Sequence, residues 1–177
     1  MCHTVKINRT SGRRSEKQMK ELWLARLFRR TCSIQKRMET VGEWPDEREL
    51  LLILHTLKEQ IDQSYDSCIV DREVYDSSRH LLFLLDMVLP YALITPPALQ
   101  ERIIRLIIEG VPGVLTRYLQ LGEERRRDMR REFLRELRCM TAEIRRIVAA
   151  IQECEREAFI HQASFIANGH KKSKTHL

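Results

Sequence analysis

A seven-residue hydrophobic repeat near the carboxyl end constrains the fold more than any other feature of this 177-residue sequence. Between residues 133 and 165, mostly apolar side chains recur at alternating spacings of four and three. That spacing places them along one side of an α-helix, which must pack this side against another helix. The repeat, called the seam below, comprises Phe133, Leu137, Met140, Ile144, Ile147, Ile151, Cys154, Ala158, His161 and Phe165.

The sequence leaves two partners open for the seam. It is either the spine of a helical bundle within one chain or one half of a coiled coil between two copies. Cys154, Ala158 and His161 weaken its lower part, which favours the bundle. The positions expected to pack or dimerise best are Phe133, Leu137, Met140, Ile144, Ile147 and Ile151. A helix from Gly122 to Ala167 is about 67 Å long, so one end should project or kink.

Composition predicts the same kind of fold for the rest of the chain. Hydrophobic residues make up 43% and charged residues 32%, with 6 Gly and 5 Pro, which is typical of amphipathic helices in one domain. We therefore expect an all-α bundle of five to six helices over residues 15–168. A flexible basic arm over 1–14 should precede it, and a disordered basic tail over 169–177 should follow it.

Turn and cap residues give the expected helix boundaries. A first helix starts with a capping box at Ser15 and stops at Gly42. The second begins at Pro45, in the first helical position, and is interrupted at 64–67. The third spans 71–89, ends at Pro90, and is expected to be central because its run 81–85 is apolar all round. The fourth is capped by Thr95 and stops at Gly110; Pro112 opens a fifth that ends near Gly122. Asn168-Gly169 should end the long last helix.

Charge is distributed unevenly along the chain. Residues 1–40 carry 11 Lys and Arg against 3 acids, and residues 41–121 carry 7 against 13. The basic first helix can therefore lie on an anionic membrane surface, dock on an acidic groove of a partner, or cover the acidic middle of its own chain. The residues proposed for this interface are Trp23, Leu24, Arg26, Leu27, Phe28, Arg29 and Arg30.

The sequence contains none of the motifs that identify common catalytic or phosphate-binding sites. HExxH, GxSxG, GxxxxGK[ST] and GxGxxG are all absent. We expect no catalytic residue, no cofactor and no metal. Five cysteines without a CxxC pair fit a reducing compartment. With neither a signal peptide nor an apolar run long enough to span a membrane, a cytoplasmic location is expected.

Residues 36–43 carry one family resemblance. The stretch Lys36-Arg37-Met38-Glu39-Thr40-Val41-Gly42-Glu43, followed by a Leu-rich helix, resembles the central part of the C accessory proteins of paramyxoviruses, especially the respirovirus branch. The resemblance covers about residues 34–61. It implies an accessory protein that binds host signalling factors, antagonises the interferon response and modulates viral RNA synthesis, with membrane attachment through the first helix. It assigns no binding residue.

Three function classes follow from these features. The first is a non-enzymatic helical interaction protein that docks on protein partners, such as host signalling factors or a viral polymerase complex. The second is a protein whose basic ends bind nucleic acid or an anionic membrane surface. The third is an enzyme with an unrecognised site. A homodimer is compatible with each of them.

Overall fold

The regular structure of this protein is helical throughout the part of the chain that can be described. A computed structural model describes the backbone at residues 25, 27, 29–40 and 42–173, with side chains as far as residue 162. This confirms the all-α fold. The helices are α1 (29–40), α2 (Glu47–Asp66), α3 (Arg72–Val88), α4 (Pro97–Arg105), α5 (Val111–Gln120) and α6 (Glu123–Ser173). The expected arm over 1–14, the capping box at Ser15 and residues 174–177 lie outside the described residues.

A glycine and a capping box form the corner between α1 and α2. Gly42 has a φ of +68°, a left-handed conformation that favours glycine, which confirms it as the stop signal of α1. The Glu49 N–H donates to Asp46 Oδ1 at 2.7 Å, and the Asp46 N–H donates to Glu49 Oε2 at 3.3 Å. The second helix therefore begins at Glu47 and not at Pro45, because the side chain of Asp46 caps it.

The α2–α3 hairpin closes close to the expected positions. After α2 the chain turns through Cys68, whose φ is +54°. Asp71 then caps α3, since its Oδ1 accepts the Val74 N–H at 3.1 Å. Pro90 lies in a 3₁₀ turn, Leu89–Leu93, which directly follows α3. The expected end of the third helix is therefore confirmed.

Helices α4 and α5 are joined without a break, contrary to the expectation at Gly110. A π-helical turn, Leu106–Gly110, connects them and carries the chain directly into Val111. Pro112 has no N–H, and in a regular α-helix its ring would meet the carbonyl four residues earlier. The wider turn relieves this conflict and keeps the helix going. Thr95 is also not a cap, because its hydroxyl donates to the Tyr91 carbonyl at 2.9 Å and Pro96 takes the cap position.

Helix α3 packs against both α2 and α6, but only one side of its apolar run is buried. Leu81, Leu82 and Leu85 lie in the core, whereas the side chain of Phe83 is 57% exposed. The run 81–85 was expected to be central to the core, and this is true of only one of its sides. An α-helix that touches two neighbours still leaves part of its circumference to the solvent.

The upper half of the seam forms the spine of the core. Phe133, Leu137, Ile144, Ile147 and Ile151 are buried within this chain, and Met140 is half-buried. Helix α5 also packs on α6, where the rings of Tyr118 and Phe133 stack at a centroid distance of 3.9 Å. This arrangement agrees with the bundle reading of the upper seam.

The lower half of α6 projects from the bundle. The helix has 51 residues and is about 76 Å long at 1.5 Å per residue. Ala158 and His161 on the lower seam are exposed, and the Phe165 side chain lies outside the described part of the chain. The backbone remains helical through Ser173, so Asn168-Gly169 does not end the helix as expected. The predicted projection of one end is observed.

The burial of the spine predicts the stability of a matched pair of variants. Ile147 is 0% exposed and Ile94 is 75% exposed. Ile147→Ala should lower the free energy of unfolding by about 2–5 kcal/mol, because it leaves a cavity between packed helices. Ile94→Ala removes the same atoms from a solvated position and should change it by less than about 0.5 kcal/mol. Urea unfolding followed by circular dichroism measures both; equal losses would contradict the assignment of the spine.

Candidate interaction surfaces

Only part of the predicted first-helix interface can be located in the structure. Arg29 and Arg30 are exposed, as a contact surface requires. Leu27 is only 3% exposed and belongs to the hydrophobic core, so its placement in a partner interface is corrected. It covers the protein's own interior. Trp23, Leu24, Arg26 and Phe28 lie outside the described residues.

The residues that carry the family resemblance build the corner after α1. Residues 36–40 close that helix, and Gly42 turns the chain. Arg37 pairs with Glu43 at 3.8 Å and also with Glu49 of α2. A basic residue, a glycine and an acid at these spacings therefore have a structural use in this chain. They fix the direction in which α2 leaves α1.

An open groove of about 1170 Å³ runs beside α1 and α5. Leu27, Ile108, Pro112 and Leu119 contribute apolar side chains, and the exposed Cys32 lies in its wall. The groove joins residues that are far apart in sequence, so no local pattern indicated it. The open shape and the apolar lining of this groove fit an apolar contact better than a catalytic site.

The two arginines of this groove are held by backbone carbonyls. Arg126 donates to the Leu121 carbonyl at 2.6 Å, and Arg117 donates to the Gly113 carbonyl at 2.9 Å. Arg126 thus satisfies a carbonyl at the carboxyl end of α5, where a cation is also favoured by the helix dipole. Arg126 therefore stabilises the end of α5, whereas the Arg117 side chain bonds to a carbonyl of its own helix.

An ion-pair cluster joins the start of α3 to α6. Arg130 donates to both oxygens of Asp71, at 2.6 and 3.1 Å, and to Glu73 Oε2 at 2.6 Å. The hydrogen bonds from Arg130 hold the pKa of the Asp71 carboxyl below its ordinary value, and these acids raise the pKa of Arg130. Because Asp71 also caps α3, a single carboxylate both starts that helix and ties it to the spine.

A second cluster joins α4 to α6. Arg102 Nε donates to Glu143 Oε1 at 3.1 Å, and Arg146 donates to Glu143 Oε2 at 3.1 Å. The pKa of Glu143 is lowered, chiefly by the hydrogen bond from Arg102. These two arginines therefore fasten α4 to α6 through one carboxylate.

The outer side of α6 carries an arginine stripe, defined as Arg131, Arg135, Arg138, Arg145 and Arg146. All five side chains are exposed. Arg135 pairs with Glu132, Arg146 with Glu143, and Arg138 lies 4.0 Å from Glu73. Within the described residues, Arg131 and Arg145 form no ion pair. In the described part of the chain, this face therefore carries both paired and unpaired arginines.

The outer side of α3 carries an apolar strip, defined as Phe83 and Met87. Each side chain is 57% exposed, and the spacing of four places them one above the other. In the following segment, Leu93 is 42% exposed and Ile94 is 75% exposed. The run 81–85 was expected to lie in the core because it shows no polar side. Large apolar side chains clustered at a surface are typical of a protein contact.

Within the described residues, no three or more His, Cys, Asp or Glu side chains are grouped as a metal would require. In the same part of the chain, every helix is too short or too polar to pass through a bilayer. Comparisons with protein-family profiles, curated proteins and solved structures found no match. The surfaces themselves therefore carry the functional argument.

The Arg130 cluster predicts how stability depends on pH. The folded pKa of Asp71 is below its ordinary value of 3.8, so the unfolded chain takes up a proton first as the pH falls. The stabilisation that Asp71 contributes should therefore be present above this value and be lost as the pH drops below it. Asp71→Asn keeps a good helix cap but removes the charge, and should make the decline below about pH 4 shallower.

The control for this titration is Glu124→Gln on the same helix as Arg130. Glu124 is exposed and forms no ion pair within the described part of the chain. The midpoint of urea unfolding, measured from pH 2.5 to 7, should show the wild-type decline in this control. An Asp71→Asn curve that superimposes on the wild-type curve would disprove the role of the Arg130 cluster.

Proposed function

We propose that this chain is a non-enzymatic interaction protein that docks helical surfaces on protein partners. The observation that carries the proposal is the apolar strip on α3. Phe83 and Met87 lie on a helix that is fixed on two sides by α2 and α6, so they are presented without a cost of ordering the backbone. A partner that covers them removes apolar surface from water, which is the main favourable term in association.

The strip also has polar neighbours that would frame such a contact. Lys58 of α2 pairs with Asp86 of α3 beside it, and His80 is exposed one turn before Phe83. An apolar centre with a charged border is the usual arrangement of a protein interface. We assign the strip to a protein partner rather than to a small ligand, because it lies on the outer face of a helix and not in a cavity.

The resemblance of residues 36–43 gives this proposal a more specific form. We propose that the partners belong to host signalling pathways or to a viral polymerase complex, as the resemblance to paramyxovirus C accessory proteins implies. The function would then be to antagonise the interferon response and to modulate viral RNA synthesis. A cytoplasmic location follows from the same proposal.

The double variant Phe83→Ser/Met87→Ser tests the strip. Proteins captured from cells by the wild-type chain should be lost from this variant, because truncated apolar anchors commonly cost more than about 2 kcal/mol of binding. The control Asp76→Ser changes an exposed polar residue on the same helix, about two turns before Phe83, and should retain them. Mass spectrometry identifies the captured proteins, and an interferon-responsive reporter in the same cells measures the activity.

The expected outcome is a parallel loss of partners and of reporter suppression in the double variant alone. Its thermal unfolding midpoint should match that of the wild type, since both side chains are exposed. If all three chains capture the same proteins and act equally on the reporter, the strip is not the docking surface. If capture depends on the strip but the reporter does not respond, the C-like form of the proposal is wrong.

The arginine stripe favours a second candidate function, the binding of nucleic acid. The unpaired Arg131 and Arg145 are available for phosphates along one face of α6. Binding of a fluorescent RNA duplex should weaken steeply between about 50 and 200 mM salt. In a plot of log affinity against log salt concentration, Arg131→Gln/Arg145→Gln should make the slope shallower by the amount expected for about two phosphate contacts. Arg48→Gln on α2 is the control. An unchanged slope, or binding to anionic vesicles without binding to RNA, would contradict this candidate.

A further inference from the structure

The projecting end of α6 keeps apolar side chains in water. Ile151 is 5% exposed and is the last buried residue of the seam, and Cys154 is half-buried. All described side chains from residue 155 to 162 are exposed. Among them, Phe159 is 72% exposed and Ile160 is 52% exposed. The core of the protein therefore covers the upper seam and leaves this end uncovered.

A helix without neighbours has little to stabilise it. The distal segment, defined as residues 152–173, extends about 33 Å beyond Ile151 at 1.5 Å per residue. Helices in proteins gain most of their stability from packing an apolar side, and the described side chains of this segment beyond Cys154 have no such packing. The distal segment contains Phe159 and Ile160 and is followed in sequence by Phe165 and Ile166. A second helix that covers them would supply the missing contact.

The charges of the distal segment indicate which helix that is. Residues 158–169 contain no Lys, Arg, Asp or Glu. Glu153, Glu155 and Glu157 precede this stretch, whereas Lys171 and Lys172 follow it. Arg156 is engaged with Glu153 of its own helix, and Glu155 and Glu157 form no ion pair within the described residues. The segment is therefore acidic at one end, neutral in the middle and basic at the other.

We propose that the distal segment pairs with the same segment of a second copy of this chain, in antiparallel orientation. An antiparallel pair aligns the two uncharged stretches and places the glutamates of each copy beside the lysines of the other. A two-fold axis repeats every contact, so each favourable contact between glutamates and lysines occurs twice. A parallel pair would place glutamates beside glutamates and lysines beside lysines, and these like charges repel each other.

The same layout argues against the other occupants of this surface. An anionic membrane would attract the lysines but repel three glutamates within one and a half turns. A parallel coiled coil that continues the seam would rely on Ala158 and His161, which are poor core residues. The inference goes beyond the proposed function, because it uses a different surface from the strip on α3.

Charge reversal in the full chain tests the orientation. In the presence of a reductant, which prevents disulfides through Cys139 or Cys154, light scattering should give twice the chain mass of 21.0 kDa. Glu155→Lys/Glu157→Lys and Lys171→Glu/Lys172→Glu should each weaken dimerisation by at least about tenfold, because like charges then meet. Mixing these two variants should restore a dimer. Combining all four substitutions in one chain should also restore it, and this result is expected only for the antiparallel arrangement.

Exposed apolar residues provide the second arm of the test. Phe159→Ser/Ile160→Ser should give the mass of a single chain with an unchanged unfolding midpoint of the bundle. Phe83→Ser/Met87→Ser removes comparable exposed side chains from α3 and should leave the dimer intact. A wild-type mass of one chain up to 100 µM of protein, a dimer that survives Phe159→Ser/Ile160→Ser, or a fourfold variant that stays monomeric would each overturn the proposal. So would flotation of monomeric wild type with anionic vesicles that depends on Phe159 and Ile160.

Discussion

The packing of the upper half of α6 is the constraint on which the rest of this structure depends. Helices α3, α4 and α5 all contact this one helix. Its buried isoleucines therefore belong to several interfaces at once, and no other helix has to be as long. A small domain obtains a single core in this way, because the apolar sides of several helices pack against one continuous helix. The surfaces available for partners are those that the spine does not cover.

Arginine side chains complement the spine at the surface of the bundle. Arg130 of α6 binds Asp71 in the acidic middle segment, and Arg102 of α4 binds Glu143 of α6. Partly exposed pairs of this kind contribute little energy singly, but a fork that binds both oxygens of one carboxylate fixes an orientation. The charge layout of the sequence thus has an internal use. The arginines that remain unpaired are the ones that a partner can use.

Regular spacing and strong caps made much of the fold predictable. The seam, the start of α3 near Asp71 and the stop at Gly42 are local features, and the sequence alone indicated each of them. The continuation from α4 into α5 was not, because the effect of Pro112 depends on whether the carbonyls before it can shift. Phe83 was also misjudged. A run of five apolar residues does not reveal which neighbours are present, and only the positions of α2 and α6 decide which side of α3 stays uncovered.

The π-helical turn between α4 and α5 has a consequence for how these two helices share their work. One additional residue in a helical turn rotates everything after it by about 100° relative to a regular helix. Leu99 and Ile103 can therefore be buried on one side of this continuous helix, and Leu115 and Tyr118 on another side. The turn therefore fixes how far the buried side of α5 is rotated from the buried side of α4. Removing a single residue from it would swing Tyr118 away from the ring of Phe133 and bring the ring of Pro112 against a carbonyl of the preceding turn.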